Sequence, residues 1–120
     1  HFKQVNDTHG HTAGDVVLRQ VASVVSSQVS QGQLLARVGG EEFAVLCNGS
    51  PLSTAQETAE RLRAAVVASI FTFEDTTLSV TVSLGCAERA AGSDEPPAEF
   101  YKRADIRLYV AKGAGRNCVR

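Results

Sequence analysis

The sequence predicts an α+β fold in which helices pack on an antiparallel or mixed sheet. Three observations predict it. Residues 13–30 repeat apolar side chains at helical spacing, residues 78–86 alternate apolar and polar with a period of two, and short apolar runs flank a Gly-Gly-Glu-Glu corner. At 120 residues, 43% hydrophobic and 21% charged, the chain suits one domain with its own core.

The elements follow in order. Residues 13–30 predict a first helix, with Val17, Leu18, Val21, Val24, Val25 and Val29 as its apolar stripe and Gly32 as its stop. So many valines lower helix propensity, so tertiary packing must hold it. Residues 34–38 and 43–47 predict a hairpin, with Gly39 and Gly40 supplying positive φ at its tip. A second helix is predicted over 53–68, opened by a capping box of Ser53 and Gln56.

Residues 70–73 predict a short strand and 74–77 a polar turn. Leu78, Val80, Val82, Leu84 and Cys86 then share one face of the clearest strand, whose polar opposite face favours antiparallel pairing. A third helix is predicted over 98–112, stopped by Gly113 and Gly115. Residues 117–120 predict a last edge strand.

Composition excludes some functions. A net charge of −1 leaves no broad basic face, so nonspecific nucleic-acid binding is not expected. No apolar run approaches the roughly 20 residues that span a bilayer. Cys47, Cys86 and Cys118 are far apart, odd in number and in no C-x-x-C pair. That argues against a zinc site or disulfide framework and for a reducing cytoplasm. The chain opens on His1 with neither initiator Met nor leader, as a piece of a longer polypeptide would.

Four stretches carry chemistry: FKQVND (2–7), GHTAGD (10–15), GGEEF (39–43) and AKGAGRN (111–117). Glu41 and Glu42, adjacent at a glycine corner, suit a hard divalent cation that keeps phosphate and water as its other ligands. The plainer reading is a solvated tip that keeps a sheet edge soluble. Lys112 and Arg116, at a helix end, either complement the macrodipole or clamp phosphates. Asn6 and Asp15 can read a guanine edge, the amide meeting O6 or N3 and the carboxylate accepting from N1 and N2. Equally, Asn6-Asp7 reads as a turn and Asp15 as a first-turn helix acid. His9 and His11, two apart in a loop, are read as structural.

Together these stretches resemble the GGDEF domain, the catalytic domain of diguanylate cyclases, over essentially the whole chain and in the GGEEF variant. VTVSLG (80–85) and RADIRLYVAKGAGRN (103–117) resemble that family's late strand and last helix. The resemblance implies one domain over residues 1–120, nucleotidyl-cyclase-like and related to ferredoxin-like folds. Its central, mostly antiparallel sheet of about five strands is wrapped by helices, and the first strand is missing from this chain. The implied reaction condenses two GTP into cyclic di-GMP with release of pyrophosphate, across an antiparallel pair of domains in a homodimer.

By position, Glu41 and Glu42 would bind Mg²⁺ (or Mn²⁺) and help activate the attacking hydroxyl. Gly39 and Gly40 would lie against the ribose and phosphates. Phe2, Lys3, Lys112 and Arg116 would hold the β- and γ-phosphates, and Asn6 and Asp15 would read guanine. The resemblance also implies an upstream sensory or receiver domain and no nucleic-acid polymer as partner.

Two departures from the family pattern carry expectations. A metal-binding Asp, expected three positions before His1, lies outside this chain. The inhibitory product motif R-x-x-D falls on Ser30, Gln31, Gly32 and Gln33, which carry neither cation nor carboxylate, so no ordinary product site is expected there. The alternative function is a degenerate domain that binds GTP or cyclic di-GMP and signals without turnover.

Overall fold

The computed structural model describes the backbone of residues 2–120 and the side chains of residues 4–120. Its elements are α1 (Phe2–His9), α2 (His11–Gln28), β1 (Gln33–Arg37), β2 (Phe43–Cys47), α3 (Leu52–Ala68), β3 (Phe71–Phe73), β4 (Thr76–Leu78) and α4 (Pro97–Gly113). The chain divides into two compact units, His1–Asn48 with Ala64–Thr81 and Gly49–Arg63 with Val82–Arg120.

In the first unit, α1 and α2 meet at Gly10. Its φ of 90° is one that side chains disfavour, which is why a glycine stands there. The Gly10 N–H donates to the Asn6 carbonyl at 2.7 Å and closes α1; its own carbonyl accepts from Ala13 (3.1 Å) and Gly14 (3.4 Å) and opens α2. α2 lies against α1 and β3 and buries Ala13, Val17, Leu18, Val21 and Val25.

Phe71, Val17, Val21 and Val66 are the largest fully buried side chains. Each removes apolar surface worth about 1.5–3 kcal/mol from water. The Gln20 amide fastens α2 to β3, Nε2 donating to the Thr72 carbonyl (2.6 Å) and Oε1 accepting from the Thr72 N–H (3.0 Å). β1 and β2 form an antiparallel hairpin in which Arg37 faces Phe43. β3 and β4 form a second, with Thr72 facing Thr77.

In the second unit, the Glu88 carboxylate accepts from the Leu52 N–H at 3.3 Å and so caps the start of α3. Leu84 makes a parallel bridge to Val119: Leu84 N–H donates to the Cys118 carbonyl and Arg120 N–H to the Leu84 carbonyl, both at 3.0 Å. α4 begins with Pro97 at its first position and ends in a glycine-assisted cap. There Gly115 has φ 105° and the Arg116 N–H reaches back to the Ala111 carbonyl at 3.1 Å. From within α4, Arg103 grips the Glu95 carboxylate with two bonds (2.8 and 2.7 Å) and donates a third to the Glu88 carbonyl at 2.6 Å.

The α+β class and the antiparallel preference hold. The described pairing comprises two hairpins and one parallel bridge, where about five strands were expected. The 78–86 run is the largest departure: only Leu78 belongs to a named strand, and Leu84 to the bridge. Its alternation shows in burial only at its start, with Val80 buried between exposed Ser79 and Thr81, while residues 82–86 are all half-buried. A ladder also needs a partner along the whole run, and periodicity cannot report one.

Other expectations shift locally. Residues 2–9 are helical, so Asn6-Asp7 is not a turn, and Thr76 and Thr77 lie in β4. Asp15 is the fifth residue of α2, which has no acid in its first turn. Gly32, with φ 87°, turns the chain into β1, while α2 is capped earlier at Val29. Ser53 sits inside α3, one residue past its start, so the capping box does not form and Glu88 does that work.

Candidate active site

A helix, a glycine and a second helix build one wall of an open cleft of about 470 Å³ in the first unit. Its lining is Asn6, Gly14, Asp15 and Leu18 from α1 and α2, and Arg37, Gly39, Gly40, Glu41 and Glu42 from the hairpin tip. That volume falls in the range of roughly 300–1,000 Å³ usual for small-molecule sites. The corner at Gly10 is what brings Asn6, one turn before it, over Gly14, one turn after it. Leu18 is buried and supplies an apolar lining; Asp15 and Glu41 are exposed, and Asn6 and Glu42 are half-buried.

The hairpin tip is held by its own backbone and by one cation. Val38 and Gly39 N–H groups both donate to the Glu42 carbonyl, at 3.0 and 3.4 Å. The Arg37 guanidinium donates from Nε to the carbonyls of Gly39 (3.3 Å) and Gly40 (3.1 Å), and from Nη2 to Gly40 at 2.5 Å. Neither Gly39 nor Gly40 has a positive φ, which corrects that expectation. Their contribution is bareness: a Cβ at Gly40 would meet nothing within 4 Å, and one at Gly39 only the Glu42 side chain at 3.9 Å. The tip therefore presents open backbone beside two carboxylates.

Six of the ten expected site residues thus share one cleft: Asn6, Asp15, Gly39, Gly40, Glu41 and Glu42. Phe2 and Lys3 begin α1, but their side chains lie outside the described residues. Lys112, half-buried in the last turn of α4, and Arg116, exposed just past its cap with φ 64°, belong to the second unit. At that helix end both cations sit where the macrodipole favours positive charge.

Sequence reasoning passed over three lining residues, Gly14, Leu18 and Arg37. Arg37 stands two residues before the glycine pair, close enough to reach back over a tight tip. Gly14 interrupts a helical stripe for no conformational reason, a signal that some neighbour occupies the space of its missing side chain.

The donor set fits a hard divalent cation. Two adjacent carboxylates at an exposed tip offer oxygen ligands only, as Mg²⁺ or Mn²⁺ prefers, with room left for phosphate and water. Among the described residues no group of three or more His, Cys, Asp or Glu side chains is placed to enclose a metal. Such an ion would therefore be shared with a ligand. His9 and His11, ending α1 and starting α2, take no part in such a group.

Comparison with known proteins places this geometry in context. The family model described as "Diguanylate cyclase, GGDEF domain" matches residues 1–118. Diguanylate cyclase DgcP of Pseudomonas aeruginosa is 43% identical over 117 residues, which cover 98% of this chain and 17% of that protein. Diguanylate cyclase SiaD of the same organism, solved in complex with its activator SiaC, superimposes with a TM-score of 0.93 at 39% identity, covering 99% of this chain and 45% of that one. The active GGEEF domain of a diguanylate cyclase from Vibrio cholerae gives a TM-score of 0.87 at 34% identity, over 98% of this chain and 74% of that one.

Proposed function

We propose a function from one premise: the chain belongs to the diguanylate cyclase GGDEF domain family. Its cleft binds one GTP, and two such domains, facing each other in an antiparallel homodimer, condense two GTP into cyclic di-GMP with release of pyrophosphate. The observation that carries this reading is the single cleft shared by Asn6, Asp15, Gly39, Gly40, Glu41 and Glu42. One wall offers an amide and a carboxylate for a base edge, and the other offers bare backbone and two carboxylates for a metal-bound triphosphate.

In this proposal Asp15 accepts from guanine N1 and N2, and the Asn6 amide donates to the base. That arrangement rejects adenine, which presents no such donors to the carboxylate. Gly39 and Gly40 let the ribose and phosphates approach the backbone where a Cβ would intrude. Glu41 and Glu42 would hold Mg²⁺ or Mn²⁺, which when bound stabilises charge on the entering and leaving oxygens. Arg37, bonded to the tip carbonyls, keeps the two glutamates at one fixed corner. Phe2 and Lys3, and at the end of α4 Lys112 and Arg116, are proposed to meet phosphate oxygens. A reducing cytoplasmic setting and an upstream sensory or receiver domain belong to the same proposal.

Incubating the full-length protein with GTP and Mg²⁺, and resolving products by chromatography, tests this. Cyclic di-GMP should form. Glu41→Ala and Glu42→Ala should each abolish turnover while leaving the circular dichroism spectrum and unfolding midpoint close to those of the unsubstituted protein. GTP bound without product would establish the non-catalytic alternative, and turnover surviving in both variants would overturn the roles given to the glutamates.

A further inference from the structure

Gly14 lies buried inside α2, where glycine is among the poorest helix formers. Its φ is not positive, so conformational freedom does not explain it. Space does. A Cβ added at Gly14 would stand 1.8 Å from Asn6 Oδ1, 2.7 Å from Asn6 Cγ and 3.1 Å from Asn6 Nδ2. All three of its nearest neighbours belong to one carboxamide, so the missing side chain is the seat of the Asn6 amide.

A second observation concerns the same group. Asn6 Oδ1 is the buried side-chain polar atom without a hydrogen-bond partner among the described residues. A buried acceptor left unpaired is costly, and no donor fixes this amide from the oxygen side. Its orientation is therefore set by shape, through the notch at Gly14. The next residue along α2 is Asp15, whose side chain lines the same cleft.

We infer that Gly14 is a positioning residue that sets nucleobase selectivity: by lacking a Cβ it seats the Asn6 carboxamide at a fixed spacing from Asp15. This rests on the guanine-reading roles proposed above. Two groups that read one base edge must both lie within hydrogen-bonding distance of it at once. An ångström of displacement at Asn6 breaks the pair while leaving the metal and phosphate contacts of the hairpin tip in place.

The test is a double-variant cycle in the full-length protein, with Gly14→Ala, Asn6→Ala and the two combined. Titration calorimetry with Mg²⁺ measures the affinity for GTP and for ATP, and thermal unfolding is followed in parallel. Gly14→Ala should lower the GTP-to-ATP affinity ratio by about tenfold, the loss of roughly one hydrogen bond. In the Asn6→Ala background the same substitution should change the ratio no further. It should also unfold at lower temperature alone than when combined with Asn6→Ala, because the added methyl then enters vacated space.

A Gly14→Ala protein that keeps the full ratio while Asn6→Ala loses it overturns the inference. So does a Gly14 effect that persists without the Asn6 side chain. Should Gly14→Ala fail to fold, recovery of folding in the combined variant supports the contact as the cause, and no recovery overturns it. Failure of the underlying reading looks different: the unsubstituted protein would show no preference for GTP, or Asn6→Ala would leave that preference intact.

Discussion

At Gly85 an added Cβ would stand 2.2 Å from the Leu108 amide nitrogen and 2.3 Å from the Ala104 carbonyl oxygen. Both are main-chain atoms of α4, which cannot swing aside as a side-chain tip can. Gly85→Ala should therefore force the 84–86 segment away from α4 and cost about 3 kcal/mol. Urea unfolding measures that, and a loss under about 1 kcal/mol would show that the contact yields. The sequence revealed Gly85 only as a small residue in an alternating run, since spacing along a strand says nothing of the helix lying across it. Arg37 escaped for the opposite reason. Its neighbours in sequence, Gly39 and Gly40, are also its bonding partners, through carbonyls that carry no residue identity. Asn6, Asp15, Glu41 and Glu42 were legible as candidates, and they share one cleft, because their chemistry resides in the side chain.

Elements were legible wherever one face is buried over several turns. The predicted helices over 13–30, 53–68 and 98–112 correspond to α2, α3 and α4 within two residues at each end, and the β1–β2 hairpin within one. α1 was not foreseen. With eight residues and no buried apolar stripe marked among its described side chains, it stands by packing on α2 across Gly10.

The loop between residue 87 and α4 shows how side chains order a segment that lacks regular structure. Arg103 bonds Glu95 and the Glu88 carbonyl and lies 5.6 Å from the Phe100 ring centroid, while Arg89 bonds the carbonyls of Ser93 and Glu95. The hydrogen bond from Arg103, aided by the charges of Arg103 and Arg89, holds the Glu95 carboxyl below the usual carboxylate range. Because the folded value lies under the unfolded one, this contribution is present above the ordinary carboxylate pKa and is lost as pH falls through the lower folded value. Carboxyl NMR should show Glu95 titrating below an ordinary Glu, and Arg103→Ala should return it to the normal range. Amides of residues 88–96 should exchange faster in that variant. Both partners are partly exposed, so the effect on global stability should be small.

At the scale of the whole molecule, the proposed reaction needs two clefts, one on each chain. Specific activity should then depend on concentration. Well below the dissociation constant of the pair, tenfold dilution should lower turnover per chain by about tenfold. A protein shown by sedimentation to be monomeric at the assay concentration, yet keeping full turnover per chain, would remove the homodimer from the mechanism. Among the described residues no helix is long and apolar enough to cross a membrane. The division of the chain into two compact units was not legible, because contact density depends on which segments return to one another, and the 78–86 run crosses that division without any break in its pattern.

The Gln20 amide has a consequence for how the folded chain behaves among its copies. By engaging both the N–H and the carbonyl of Thr72, it fills the outward-facing hydrogen-bonding slot of β3, on the side away from Thr77. A foreign polypeptide seeking to extend that ribbon finds its docking groups already taken. One glutamine thereby closes the middle of this three-residue edge, Phe71–Phe73, to pairing with another chain.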